Sequence, residues 1–443
     1  MKTAAKDSAK AKRVLLMTLL DLDREPNQRT QHMAAMLAGL ADELVVITKT
    51  RCLERSPRAL LRDALTCKVH SRRNGNVITH RLHPFLNYAQ ALASAWVSAD
   101  IGKPAGWRKR VFAAMLSFMG ILRDMIYIPT FVLVALIKAG GRFDVCFCDG
   151  PWTGGAGWCL RMLGRVRYLI YDDMDYVAGG QMLKLRIAYV AALERGVIGH
   201  ADLAISAGWR LGAYRESTTG RAITVITNGV DPALFRKALE KRPHPPTLVY
   251  VGHLAHYSGV DLAIRSLPSI QAACPGARLI IVGEGDTPYI GALHKLVQDL
   301  DVDAHVEFRG RVPYAGLAAV LAECDLGFAA SRLTLLRSYA FPLKVIEYMA
   351  AGLPVLCTAG SEAAEILRRY PAGCAVAFEV DALANAAIGF FSDAKLYAQA
   401  RNTALATAEL FTWANATDRM RRLIEAQLQL QPAAAQAAKD YPR

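Results

Sequence analysis

The hydrophobic and polar positions of this chain alternate short apolar runs with amphipathic stretches, and the alternation starts twice. Residues 13–20 (RVLLMTLL) form an apolar run of strand length. A polar loop, a helical pattern to about residue 40 and a second run at residues 43–48 (ELVVIT) follow. Further runs stand at residues 143–148 (FDVCFC), 166–171 (VRYLIY) and 222–226. A charged, proline-rich stretch over residues 236–246 reads as a linker. The pattern then restarts at residues 247–251 (TLVYV), 278–282 (RLIIV), 325–330 (DLGFAA), 354–357 (PVLC) and 374–378 (CAVAF). Strand–helix alternation of this kind predicts an α/β protein of two Rossmann-like domains, residues 13–235 and 247–410. A last helical segment covers residues 411–430.

Residues 107–138 (WRKRVFAAMLSFMGILRDMIYIPTFVLVALIK) depart from this pattern. Arg123 and Asp124 interrupt the centre and Pro129 breaks it again, so neither half reaches the roughly 20 apolar residues of a spanning helix. The segment reads as two consecutive helices, buried or lying in a membrane interface, with Trp107, Arg108, Lys109 and Arg110 as its anchor. Two core helices of an α/β layer are the alternative.

Composition narrows the class. The 443 residues are 53% hydrophobic, ample for sizeable cores, and only 21% charged, with a formal net charge of +14. A basic, oily chain addresses nucleic acid, an anionic membrane surface or anionic substrates. The charges are dispersed rather than interleaved with aromatics on one face, which argues against nucleic acid. Nine cysteines without a CxxC pair fit a reduced, cytosolic compartment. Cys146 and Cys148 alternate along a strand and read as apolar filler on one face. No secretory leader is read at the N-terminus.

Candidate chemistry concentrates at residues 341–355 (FPLKVIEYMAAGLPV). Pro342 suits a first helical turn, and Gly352 with Pro354 stops the helix. Lys344 and Glu347 are three apart and share a face, while Val345, Ile346 and Met349 cover the other. A diphosphate at the helix N-terminus would be held by Lys344, with the carboxylate one turn later accepting from a ribose. The same spacing fits an exposed Lys–Glu pair. The loop after the first strand lacks GxGxxG, which argues against a nicotinamide or flavin enzyme. Asn27 and Arg29 open the first helix, as cleft residues or as a cap and a surface charge. Asp172, Asp173 and Asp175 invite a metal reading, yet no histidine accompanies them, and contact with acceptor hydroxyls is preferred.

Four segments, LVYVGHLAHYSGVDLAIRSL, RLIIVGEGD, VEFRGRVPYAGLAAVLAECDLGFAASR and the 341–355 helix, together with ITNGVDPALF before the linker, resemble in order the family-four retaining glycosyltransferases of exopolysaccharide and lipopolysaccharide assembly. The resemblance covers nearly all of the second half and is patchy in the first. It implies a GT-B fold, two Rossmann-like domains facing across a cleft. The first would be the acceptor side and the second the donor-binding domain, with the last helix crossing back to the first. It also implies catalytic and donor-binding roles for Lys344 and Glu347, and donor contacts at Gly252, His253, Gly283, Glu284, Arg311, Val312 and Ser331. The acceptor side would hold Asn27, Arg29, Asp172 and Asp175. Where the family often carries cations in the first donor-domain turn, this sequence has His253 and Ser258. A second glutamate of the family, separated from the first by seven intervening residues, is replaced here by Tyr339.

The expectation is therefore a metal-independent hexosyltransferase. It moves a sugar from a nucleotide-sugar, with retention, to a polyprenyl-diphosphate-linked or growing oligosaccharide acceptor in cell-surface polysaccharide synthesis. It would work at the cytoplasmic face of the membrane, with no cofactor and no nucleic-acid partner. The rivals are a basic protein that binds membrane surfaces or nucleic acid, and a nucleotide-sugar hydrolase or epimerase on the same scaffold.

Overall fold

The structure is a computed structural model that describes residues 11–20, 22, 29–49, 69–82, 107–180, 184–240 and 244–429. The chain divides into two compact units. One holds the chain up to Ala207, Gly212–Ile226 and everything from Thr417 on; the other holds Gly208–Leu211 and Thr227–Ala416.

The first unit is built on eight strands: β1 (Ala11–Met17), β2 (Ala41–Lys49), β3 (His70–Asn74), β4 (Val77–Leu82), β5 (Phe143–Asp149), β6 (Val166–Asp173), β7 (Leu203–Ser206) and β8 (Thr224–Val225). Their spatial order is β3-β4-β2-β1-β5-β6-β7-β8, parallel except for β3 against β4. The parallel strands read as continuous apolar runs because both faces are covered. Leu15, Met17, Val45, Ile47, Cys146, Cys148 and Leu169 form the core with Tyr127, Phe131 and Val134. The two cysteines share a face with their sulfurs 3.5 Å apart, as the alternation predicts.

The segment expected as two helices is one. Trp107–Val134 runs unbroken through Pro129 and ends in a wider turn, Ala135–Ala139. Pro129 lies on the exposed side, where its ring need not clash with a packed neighbour, and the Thr130 hydroxyl donates to the Ile126 carbonyl at 2.7 Å. The charges in its centre are neutralised within the fold: Asp124 is buried and accepts from Arg123 at 2.6 Å and Arg186 at 3.0 Å. Opposite the packed face, Phe118, Leu122, Met125, Ile126, Leu133 and Ile137 stand exposed, Ile137 to 71%. By length and composition Gly120–Ala139 is apolar enough to cross a membrane, with a mean hydropathy of 1.8, and 33% of it is buried against the protein.

The second unit is a wholly parallel six-stranded sheet: β9 (Thr247–Val251), β10 (Arg278–Val282), β11 (Val306–Gly310), β12 (Leu326–Ala329), β13 (Val355–Thr358) and β14 (Gly373–Val376). Its order is β11-β10-β9-β12-β13-β14. Helices Val260–Ala273 and Val380–Ser392 pack on one face through Leu262, Leu267, Ile270, Leu383 and Phe390. The helix predicted around Lys344 spans Leu343–Ala350, and Gly352 follows it with φ +68°, the left-handed conformation expected of a C′ glycine. The last helix, Trp413–Gln429, starts in the second unit, and from Thr417 it counts with the first.

Candidate active site

In the second unit the predicted donor residues lie where the parallel strands end. Gly252 follows β9 and Gly283 follows β10. Their backbones touch: a Cβ on Gly283 would stand 1.9 Å from the Gly252 carbonyl oxygen, and Gly283 adopts φ +143°. The Gly252 N–H donates to Val282 at 3.0 Å, and that of Gly283 to Gly310 at 2.8 Å. The turns after β9, β10 and β11 are thereby tied edge to edge. Glu284 is exposed, and its carbonyl accepts from Leu254 at 2.9 Å. Arg311 and Val312 continue from Gly310, the arginine exposed. Ser331 follows β12, its N–H donating to the Thr358 hydroxyl at 2.8 Å.

The Leu343–Ala350 helix is pressed onto this edge by Tyr348. That side chain is fully buried over Gly327, where a Cβ would stand 2.3 Å from its ring, and its hydroxyl accepts from the Val251 N–H at 2.8 Å. Seating Tyr348 fixes Lys344 one turn earlier. The Lys344 ammonium lies 3.9 Å from the centroid of the Tyr250 ring and crowds the place a Gly252 side chain would take, 2.9 Å from its Cβ position. Burial and the nearby Arg337 guanidinium lower its pKa to about 7, against the opposing pull of Glu347. Burial likewise pushes the Glu347 carboxyl up, opposed by a hydrogen bond from the Tyr314 hydroxyl and by Lys344. Gly252, Gly283, Lys344 and Glu347 thus form one group. His253 turns aside: its side chain is 56% exposed, 3.8 Å from Asp286.

The residues expected on the acceptor side, in the first unit, do not form one group. Arg29 opens the helix Arg29–Leu40 and grips Asp172 at the end of β6, Nε to Oδ2 at 2.7 Å and Nη2 to Oδ1 at 2.8 Å, both buried. Asp175 is exposed two residues beyond β6, and Asn27 lies outside the described residues. Asp173, the middle of the acidic triplet, accepts from Arg215 at 2.6 Å. Arg215 also donates to the buried Glu194 at 2.9 Å. Asp149, which no sequence pattern singles out, ends β5 and accepts from the Thr30 hydroxyl at 2.7 Å; burial raises its pKa to about 7. No group of three His, Cys, Asp or Glu residues among the described residues is arranged to hold a metal ion.

Residues 232–406 match the family model "Glycosyl transferases group 1". A GDP-mannose-dependent alpha-(1-6)-phosphatidylinositol monomannoside mannosyltransferase of Mycobacterium tuberculosis is 34% identical over 321 residues, covering 68% of this chain and 78% of the relative. The chain belongs to the group 1 glycosyltransferases. Among solved structures, sucrose-phosphate synthase from Thermosynechococcus elongatus superposes with a TM-score of 0.67 at 17% identity, over 96% of this chain and 100% of that one. Alpha,alpha-trehalose 6-phosphate synthase from Burkholderia multivorans gives 0.66 at 13%, over 98% and 99%. These likenesses give the glycosyltransferase its fold: GT-B, with two Rossmann-like parallel sheets.

Sequence reasoning missed three parts of the glycosyltransferase's second unit. Tyr250 and Tyr314 support Lys344 and Glu347, and Arg337 bears on Lys344 from another helix. Only Tyr250 left a trace, an aromatic one residue before a strand end. The other two depend on contacts across the chain that no local pattern encodes.

Proposed function

We propose that this glycosyltransferase transfers a hexose from a nucleoside-diphosphate sugar, with retention and without a divalent metal. Its acceptor is a lipid-linked or growing oligosaccharide, met at the cytoplasmic face of the membrane in cell-surface polysaccharide synthesis. The observation that carries the reading is the seat of Lys344. An ammonium held against Tyr250, beside a glycine turn, at a helix N-terminus that no side chain caps, is an anion site awaiting its charge. Departure of a nucleoside diphosphate builds charge on its phosphates, and a preorganised cation there lowers the barrier. Glu347, one turn on and half-buried, would accept from the ribose hydroxyls. The Lys344 ammonium fills the space a side chain at Gly252 would need, so a phosphate that approaches this turn would meet it there.

Two further facts support the finer parts. An Anabaena HepE structure, 17% identical, was solved in complex with UDP, and the mycobacterial relative is named for a GDP-mannose donor and a phosphatidylinositol mannoside acceptor. The exposed apolar side of the Trp107–Val134 helix suits an enzyme whose acceptor stays in a bilayer.

Thermal unfolding of the full chain with UDP-, GDP- and ADP-sugars tests the donor reading. A ligand at a hundred times its Kd stabilises the native state by about 2.7 kcal/mol, a rise of several degrees. One nucleotide should raise Tm, and the sugar released from its donor should appear on a polyprenyl-diphosphate-linked acceptor as the α-anomer when the donor is α-linked. No shift with any of them, together with no transfer, overturns the proposal.

A further inference from the structure

Of the cations in the second unit that lie over aromatic rings, two approach most closely. The Arg337 guanidinium carbon is 3.9 Å from the centroid of Tyr257, and the Lys344 ammonium is 3.9 Å from that of Tyr250. Arg332, five residues before Arg337, is paired to both oxygens of Asp261, at 2.8 and 2.6 Å. Arg337 has no carboxylate partner among the described residues, and its ring Tyr257 stacks 6.5 Å from His253, the residue after the Gly252 that Lys344 abuts; its charge lowers the Lys344 pKa as well. Like charges brought together in a partly desolvated place raise the free energy of the unliganded protein. The fold gains little from the arrangement. Arg337 sits on a short helix, Leu335–Tyr339, capped by the Thr334 hydroxyl, which uses the Arg337 backbone N–H and leaves its side chain uninvolved. An anion docked between the two cations removes the repulsion.

The turn after β9 offers no substitute cation. His253 leans towards Asp286, and Ser258 is buried with its hydroxyl 3.4 Å from that of Tyr289. We propose that Arg337, held on the face of Tyr257, is the second phosphate-binding cation of the donor site, closing with Lys344 on the diphosphate from a different helix. This rests on the donor reading above.

Binding then carries a proton. The groups facing Lys344 are Tyr250 from β9, Arg337 from the short helix and Glu347 from its own helix. With no anion bound, the ammonium titrates at about 7. A bound diphosphate favours the charged form and raises that pKa. Affinity is therefore full below the free-state value and falls as pH rises above it. Without the Arg337 charge, Lys344 titrates higher in the free protein, so the fall begins at a higher pH.

Isothermal titration of the full chain with UDP, GDP and ADP, from pH 6 to pH 9, tests this on wild type, Arg337→Ala and Arg337→Lys. Arg337→Ala should weaken the diphosphate that binds wild type by roughly ten- to a hundredfold, the range of a lost charge-assisted contact. Its affinity should also begin to fall at a higher pH than that of wild type. Arg337→Lys should recover most of the affinity. Equal affinities in wild type and Arg337→Ala overturn the assignment. So does a loss in Arg337→Ala that leaves the pH profile unmoved, or one that Arg337→Lys does not relieve, since either marks a merely structural role. If no diphosphate binds wild type, the donor reading itself fails and this inference falls with it.

Discussion

Arg29 and Asp172 are separated by 143 residues of chain and joined by two hydrogen bonds of 2.7 and 2.8 Å, with the carboxylate fully buried. Removing one partner strands a buried charge, which costs about 3–5 kcal/mol. Arg29→Ala and Asp172→Ala should each lower the urea midpoint of the first unit by a corresponding amount. The double variant should lose less than the sum. Additive losses would mean that the two side chains act separately.

The same pairing bears on metals. Asp172 is held by Arg29 and Asp173 by Arg215, so two of the three clustered carboxylates face guanidinium groups. Turnover should be unaffected by EDTA. Activity lost in the chelator and restored by manganese would reverse this and bring back a metal role for the acidic triplet.

Lys344→Ala should reduce turnover roughly a hundredfold or more, the cost of about 3 kcal/mol typical of one lost electrostatic donor. Glu347→Gln should cost far less, because an amide oxygen still accepts from a ribose. Since burial and Arg337 disfavour the Lys344 charge, Lys344→Met should leave Tm unchanged or raise it while activity falls. A Lys344 variant that is folded and fully active would end the assignment.

Asp149 predicts a pH dependence of stability. Its carboxyl titrates at about 7 when folded, above the ordinary value of 3.8. Between those values the folded state holds the extra proton, so stability falls as pH rises from about 4 to about 7. Asp149→Asn keeps an oxygen for the Thr30 hydroxyl and should flatten that slope, measured as Tm against pH. An unchanged slope would place the titration elsewhere.

The Trp107–Val134 helix makes the fourth setting for a test. Anionic lipid attracts basic residues at about 1 kcal/mol per charge near the surface, and buried apolar side chains add a part that salt does not screen. Replacing Arg108, Lys109 and Arg110 with glutamate should release protein from anionic liposomes. Leu122→Ser with Met125→Ser should remove the salt-resistant fraction. Wild-type protein that stays wholly in the supernatant would refute the membrane reading.

Strand–helix alternation made both sheets legible, because parallel strands buried on two faces leave continuous apolar runs such as residues 278–282. The Lys344 and Glu347 helix was legible from its stop signal at Gly352 and its two-sided pattern. Pro129 misled, since its rule concerns an isolated helix, whereas Tyr127 and Phe131 bind this one to a core on both sides of the proline. Arg29 was visible as a charged residue opening the first helix, and Asp172 as one at a strand end. Their bond was not, because a contact across 143 residues has no periodicity to read.

The backbone contact between Gly252 and Gly283 bears on how this enzyme can diversify. A side chain at Gly283 would collide with the Gly252 carbonyl, and one at Gly252 would strain a backbone at φ +147° and displace the Lys344 ammonium, so both positions strongly favour glycine. On the donor reading proposed above, a change of donor preference would fall to the segments around them, Arg311 and Val312 after β11 and the stretch from Ser331 to Tyr339, whose side chains are at least partly exposed. On that reading the glycine floor resists substitution, and the walls are where a new sugar would be learned.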